Sequence, residues 1–118
     1  MNNEKNLLFT LSDSLVRKIY NSTLQFPYKY QSSLGDQLRR ASLSIVLNIV
    51  EGGARKSTNE KRQFLNISFA SLKETKYLVC FAKEFQLISQ TDFDQIMTGI
   101  NELARVLYGL LYKSKRYI

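Results

Sequence analysis

The sequence predicts an all-α fold, an antiparallel up-and-down four-helix bundle, on three observations. One Pro and five Gly punctuate 118 residues, too few turn formers for an all-β protein. Apolar residues recur at three- and four-residue steps, the period of a helix with a buried face. The breaks between these runs are short, and short links make successive long helices antiparallel neighbours. No repeat, low-complexity run or linker divides the chain, so residues 1–118 are expected to form a single domain.

The first helix is predicted near residues 10–25. Leu11, Leu15, Val16 and Ile19 form its apolar stripe, and Thr10 or Ser12 is placed to cap its start. Pro27 stops it, because the residue before a proline avoids the helical region. The second helix, near residues 33–53, begins after Ser32 or Ser33, with Asp36 placed to complete a capping arrangement. Its stripe reads Leu34, Leu38, Ala41, Ile45, Asn48, Ile49 and Gly52, and Leu43, Val46, Leu47 and Val50 widen it to nearly the whole circumference. A helix apolar on most sides is expected to touch several neighbours, within the domain or across subunits.

The third helix, near residues 58–86, opens with the capping box Ser57-Thr58-Asn59-Glu60. It continues through Phe64, Ile67, Ser71, Leu72, Thr75, Leu78, Val79, Ala82 and Phe85. The fourth, near residues 92–115, starts at Thr91-Asp92-Phe93-Asp94, with acids at the positive end of the helix dipole. Phe93, Ile96, Met97, Ile100, Leu103, Ala104, Leu107, Leu110 and Leu111 carry its period, and Lys113, Lys115 and Arg116 place cations at its negative end.

Composition excludes several function classes. Without His there is no Ser-His-Asp or Cys-His pair, no His-ligated metal and no imidazole pH switch. One Cys makes neither an internal disulfide nor a thiolate cluster, and Cys80 in an apolar run is expected to be a buried structural thiol. No cofactor and no metal is expected. The absence of disulfides fits a cytoplasmic location. Neither a signal-peptide pattern nor an apolar run of ~20 residues is present, so no membrane association is expected. The stretch Glu51-Gly52-Gly53-Ala54-Arg55-Lys56-Ser57 resembles a phosphate loop only superficially, lacking the preceding strand and the correctly spaced first Gly.

Asn48, Glu51 and Glu74 are polar residues on or beside apolar stripes, and are read as a structural network fixing helix register. Arg55, four residues after Glu51, is the natural partner for that carboxylate. Glu51 and Glu74 as a general acid–base pair is the weaker alternative, and a di-iron centre would need Glu-x-x-His pairs that are absent. No catalytic residue is assigned and the protein is expected not to be an enzyme.

Seventeen Lys and Arg against ten Asp and Glu give a net charge of +7. Between Arg39 and Lys83 lie nine cations and three acids, +6 of that total. Arg39, Arg40, Arg55, Lys56, Lys61 and Arg62 are the candidate nucleic-acid contacts, read as one patch centred on the link before the third helix. Lys113, Lys115 and Arg116 make a second cluster, expected at the opposite end of the bundle from that link. Tyr28, Tyr30, Tyr77, Tyr108, Tyr112 and Tyr117 are available as stacking platforms where exposed. The predicted function is therefore electrostatic, weakly sequence-specific binding of RNA or DNA. The alternative is a protein-interaction or assembly module that docks through the second helix.

Arg40-Ala41 with Ser44-Ile45, Asn48-Ile49 with Glu51-Gly52, Phe64-Leu65 with Ile67, and Ser71-Leu72 with Glu74 form a recognisable pattern. It resembles the four-helix-bundle family encoded in intervening sequences of bacterial 23S ribosomal RNA genes. That family is related to the accessory variability determinant proteins of diversity-generating retroelements. The resemblance covers residues 7–113 in architecture and is most specific over 34–78. It implies a non-enzymatic bundle that forms a homo-oligomer, a pentamer by analogy, and associates with nucleic acid or a partner reverse transcriptase. It makes Asn48, Glu51, Gly52 and Glu74 signature structural residues and Arg39, Arg40 and Arg55 candidate RNA contacts. Val50 and Ala70 stand where the family more often has Ala and Gly, which is expected to loosen a close helix contact.

Overall fold

The structure, a computed structural model, describes residues 3–113, with side chains from residue 7 onward. Four long helices make up most of it: α1 (Asn3–Thr23), α2 (Asp36–Ala54), α3 (Thr58–Glu84) and α4 (Gln90–Tyr108). One helical turn, Tyr28–Tyr30, and a π-helical turn, Gln31–Gly35, lead into α2, and a second π-helical turn, Gly109–Lys113, continues α4. Both α1 and α3 pack against α2 and α4, which closes the four antiparallel helices into a ring measuring 44 × 23 × 20 Å. This is the predicted all-α bundle.

Leu15, Ile19, Leu38, Ile45, Leu72, Ile96, Ile100, Leu103, Leu107 and Leu111 are fully buried at its centre. Each such side chain contributes about 1.5–3 kcal/mol through removal from water. Helix α1 starts seven residues before the predicted cap at Thr10. Leu8, one turn before Leu11 and two before Leu15, is 3% exposed, so burial extends the helix past both predicted caps. Ser12 then lies inside α1, buried, and donates to the Phe9 carbonyl.

The capping box at Ser57 forms its expected bond, with the Ser57 hydroxyl accepting from the Glu60 N–H at 3.3 Å. The fourth helix is capped by Ser89, which accepts from the Asp92 N–H at 3.1 Å, two residues ahead of the predicted start. Asp36 caps nothing. The chain enters α2 already helical through the π turn, and Asp36 instead pairs with Arg40 at 3.1 Å. Helix α3 ends in a Schellman arrangement, in which the Gln86 N–H bonds the Lys83 carbonyl and the Leu87 N–H bonds the Ala82 carbonyl. Gln86 holds the left-handed position with φ 60°.

Helices α2 and α3 approach most closely. A Cβ on Gly52 would meet the Phe64 Cβ at 3.2 Å. Buried Ser68 donates to the Ile45 carbonyl at 2.9 Å, and the Ser44 and Ser71 hydroxyls are bonded at 2.8 Å. Small side chains on both helices permit this approach. Val50 and Ala70 lie outside it, both exposed, and so do not loosen the contact as expected.

The same periodicity corrects three core assignments on α3. Ile67, Glu74 and Phe85 are exposed, as are Tyr77 and Phe81, and their spacing places all five on one outward stripe. Glu74 precedes buried Thr75 by one residue, and a single 100° step turns it out of the interior. Cys80 is half-buried rather than buried. Among the described residues no helix is long and apolar enough to cross a membrane.

Candidate nucleic-acid interface

The antiparallel course of the helices decides which cations meet. The link between α2 and α3 carries Arg55 and Lys56, and the first turns of α3 carry Lys61 and Arg62. Helix α4 runs back along α3, so its end returns to the start of α3. The Arg62 guanidinium donates to the Leu111 carbonyl and lies 5.9 Å from the Tyr112 ring centroid. The end of the fourth helix therefore shares a pole with the start of the third, correcting the expectation of opposite ends. Lys113 joins the cluster, while Lys115, Arg116 and Tyr117 lie outside the described residues.

Arg39 and Arg40 do not belong to this cluster. They sit in the first turns of α2, and a rise of 1.5 Å per residue puts Arg40 about 22 Å from Arg55. Arg39 is also committed elsewhere. Its Nη1 donates to Thr23 Oγ1 at 3.0 Å and its Nη2 to the Gln31 carbonyl at 2.8 Å, tying the α1–α2 connection to α2. The predicted single patch is thus two separated groups, because the length of α2 lies between residues that are neighbours along the chain.

The poles differ in charge. Around the α2–α3 link, the described side chains of Arg55, Lys56, Lys61, Arg62 and Lys113 face only the carboxylates of Glu51 and Glu60. At the other pole Arg17, Lys18, Lys29, Arg39, Arg40 and Lys83 are nearly balanced by Asp13, Asp36, Glu84, Asp92 and Asp94. Excess formal positive charge is therefore concentrated at one end of the bundle.

That end also carries exposed aromatic surface. Tyr108 and Tyr112, four residues apart, are 46% and 56% exposed with ring centroids 4.9 Å apart. Lys113 lies over Tyr108 at 5.6 Å, and Lys73 over Phe69 at 5.2 Å. Phe69 packs beside Tyr108 with centroids 6.4 Å apart. On α3, Arg62, Phe69, Lys73 and Lys76 recur at helical spacing and form the flank facing α4. Tyr108 and Tyr112 are among the expected stacking platforms and Lys113 among the expected cations, but their pairing and the part of Phe69 and Lys73 are not legible in the sequence beyond the four-residue tyrosine spacing.

The polar network differs in membership from the expected one. Asn48 donates to the Ser44 carbonyl at 2.8 Å and to its hydroxyl at 3.1 Å, and Ser44 bonds Ser71 across the α2–α3 contact. Thr75 donates to the Ser71 carbonyl at 2.8 Å. Glu51 is exposed and pairs with Arg55 at 2.9 Å, and Glu74 is on the surface, so neither carboxylate lies in that network. Short Ser and Thr side chains fit the close helix contact where carboxylates would be desolvated.

The model of the 23S rRNA-intervening sequence protein family matches residues 4–109. The chain belongs to that family. Its fold is also that of a crystal structure of a protein of unknown function from the S23 ribosomal protein family of Bacteroides thetaiotaomicron. The TM-score is 0.81 at 20% identity, covering 94% of this chain and 99% of the other. No curated protein matches the chain. In this member of the 23S rRNA-intervening sequence family, the basic pole is built from the α2–α3 link and the end of α4.

Proposed function

We propose that this member of the 23S rRNA-intervening sequence family is a non-enzymatic nucleic-acid-binding protein that engages RNA or DNA through its basic pole. The observation carrying this reading is the convergence of Arg55, Lys56, Arg62 and Lys113 with exposed Tyr108 and Tyr112 at one end of the bundle. Cations neutralise phosphates and release their counterions, which makes affinity depend steeply on salt. The exposed positions of Glu51 and Glu74 support a non-enzymatic role, since a carboxylate open to water lacks the burial that tunes a general acid or base. A mobility-shift titration of labelled structured RNA and duplex DNA tests the reading. Retardation at low salt that is lost steeply as salt rises is expected; no shift of either polymer at low salt overturns it.

Self-assembly is the second part of the proposal, supported by a different surface. Leu43, Leu47 and Val50 on α2, with Ile67, Tyr77 and Phe81 on α3 and Phe85 at its C-cap, are all exposed on adjacent helices. The Phe81 and Phe85 rings stack with centroids 4.6 Å apart. Exposed apolar side chains in this number favour association, and we assign them to contacts between copies of this chain in a cytoplasmic homo-oligomer, with five subunits as the family resemblance implies. A heterologous protein partner on the same face would show as a monomer that oligomerises only when mixed.

A further inference from the structure

We propose that the basic pole selects single-stranded over duplex nucleic acid, with unpaired bases stacking on Tyr108 and Tyr112 and the phosphates following the α3 cations Lys73 and Lys76. This rests on the nucleic-acid reading above and names its substrate class.

The two components of the site impose different demands. Cations alone accept any phosphate backbone, single or double. Aromatic faces are useful only to a base whose own face is free, and in a duplex each base face is covered by the next pair. Tyr108 and Tyr112 are about half exposed, and they are placed among cations rather than in the apolar stripe on the other flank of α3. The arrangement is also held in place. Arg62 is anchored on the Leu111 carbonyl at the π-helical end of α4, which fixes its guanidinium beside Tyr112. Arg62 is thus a positioning residue for the platform. From there Phe69, Lys73 and Lys76 extend the α4-facing flank of α3 toward the middle of the bundle. Interleaved aromatics and cations in line are the pattern that tracks single strands.

The test uses fluorescence anisotropy with three labelled probes of about twelve nucleotides per strand, a length suited to one such site. They are a uridine RNA, the corresponding thymidine DNA, and an RNA duplex. Both single strands are expected to bind more tightly than the duplex, and the tighter of the two identifies the natural class. Tyr112→Leu, which keeps apolar bulk but removes the stacking ring, is expected to weaken single-strand binding roughly five- to hundred-fold. Tyr112→Phe is expected to restore it, and duplex binding should not change. Lys73→Gln is expected to reduce the salt slope by about 0.7 for the single strand. Stacking is overturned if Tyr112→Leu has no effect or weakens duplex and single strand equally, yet salt-dependent binding would then leave the nucleic-acid reading standing. Wild-type protein that binds none of the probes overturns both.

Discussion

Arg39 makes its hydrogen bonds inside the protein: it joins buried Thr23 at the end of α1 to the Gln31 carbonyl before α2. Hydrogen bonds from a charged group contribute about 1.5–3 kcal/mol, and the planar fork has no equivalent in Lys. Arg39→Lys should therefore lower unfolding stability by about that amount in urea titrations, while nucleic-acid affinity stays unchanged. Gln86 offers the opposite change. A non-glycine residue in the left-handed region costs about 1–2 kcal/mol that Gly does not, so Gln86→Gly, which keeps the Schellman bonds, should raise stability in the same assay. The sequence shows that Arg39 is a cation near a helix start, but not that Thr23 and Gln31 converge on it. That depends on how the α1–α2 connection folds back, which no local spacing encodes.

At the scale of elements, the α2–α3 pair is held by small residues whose positions were visible as a pattern but not as a contact. Ser68 fits against the Ile45 carbonyl with no room for a larger side chain. Ser68→Leu should force the helices apart and cost about 1–3 kcal/mol, read as a lower thermal midpoint with helical content retained below it. Helix number and order were legible, because core leucines and isoleucines recur at helical period, whereas the pole shared by the α3 start and the α4 end was not. The Ser57 cap was legible too, being a local bond. Less legible were the start of α1, which burial of Leu8 decides, and the outward turn of Ile67, Glu74 and Phe85. Apolar residues on two adjacent stripes of one helix look alike until the neighbouring helices are placed.

The whole molecule separates two surfaces, an apolar one along α2 and α3 and a basic, aromatic one at the pole where α4 returns to the start of α3. The net charge was visible in the sequence, but its location was not, because Arg40 and Arg55 are near in sequence and far apart along α2. Assembly through the apolar face predicts that Leu47→Glu with Phe81→Glu yields a 13.7 kDa monomer in sedimentation, whereas the unaltered chain sediments as a larger species. An unaltered chain that sediments as a monomer would remove that part of the proposal. The most direct test of the central claim compares the two poles. Affinity for a labelled single-stranded RNA is measured against salt for Lys56→Glu/Lys113→Glu and for Lys29→Glu/Arg40→Glu. The first pair is predicted to weaken binding strongly and flatten the salt slope by about 1.4, from two lost phosphate contacts, and the second to leave the slope unchanged. Equal losses from both pairs, or a loss from the second alone, would contradict a binding site at the α2–α3 pole.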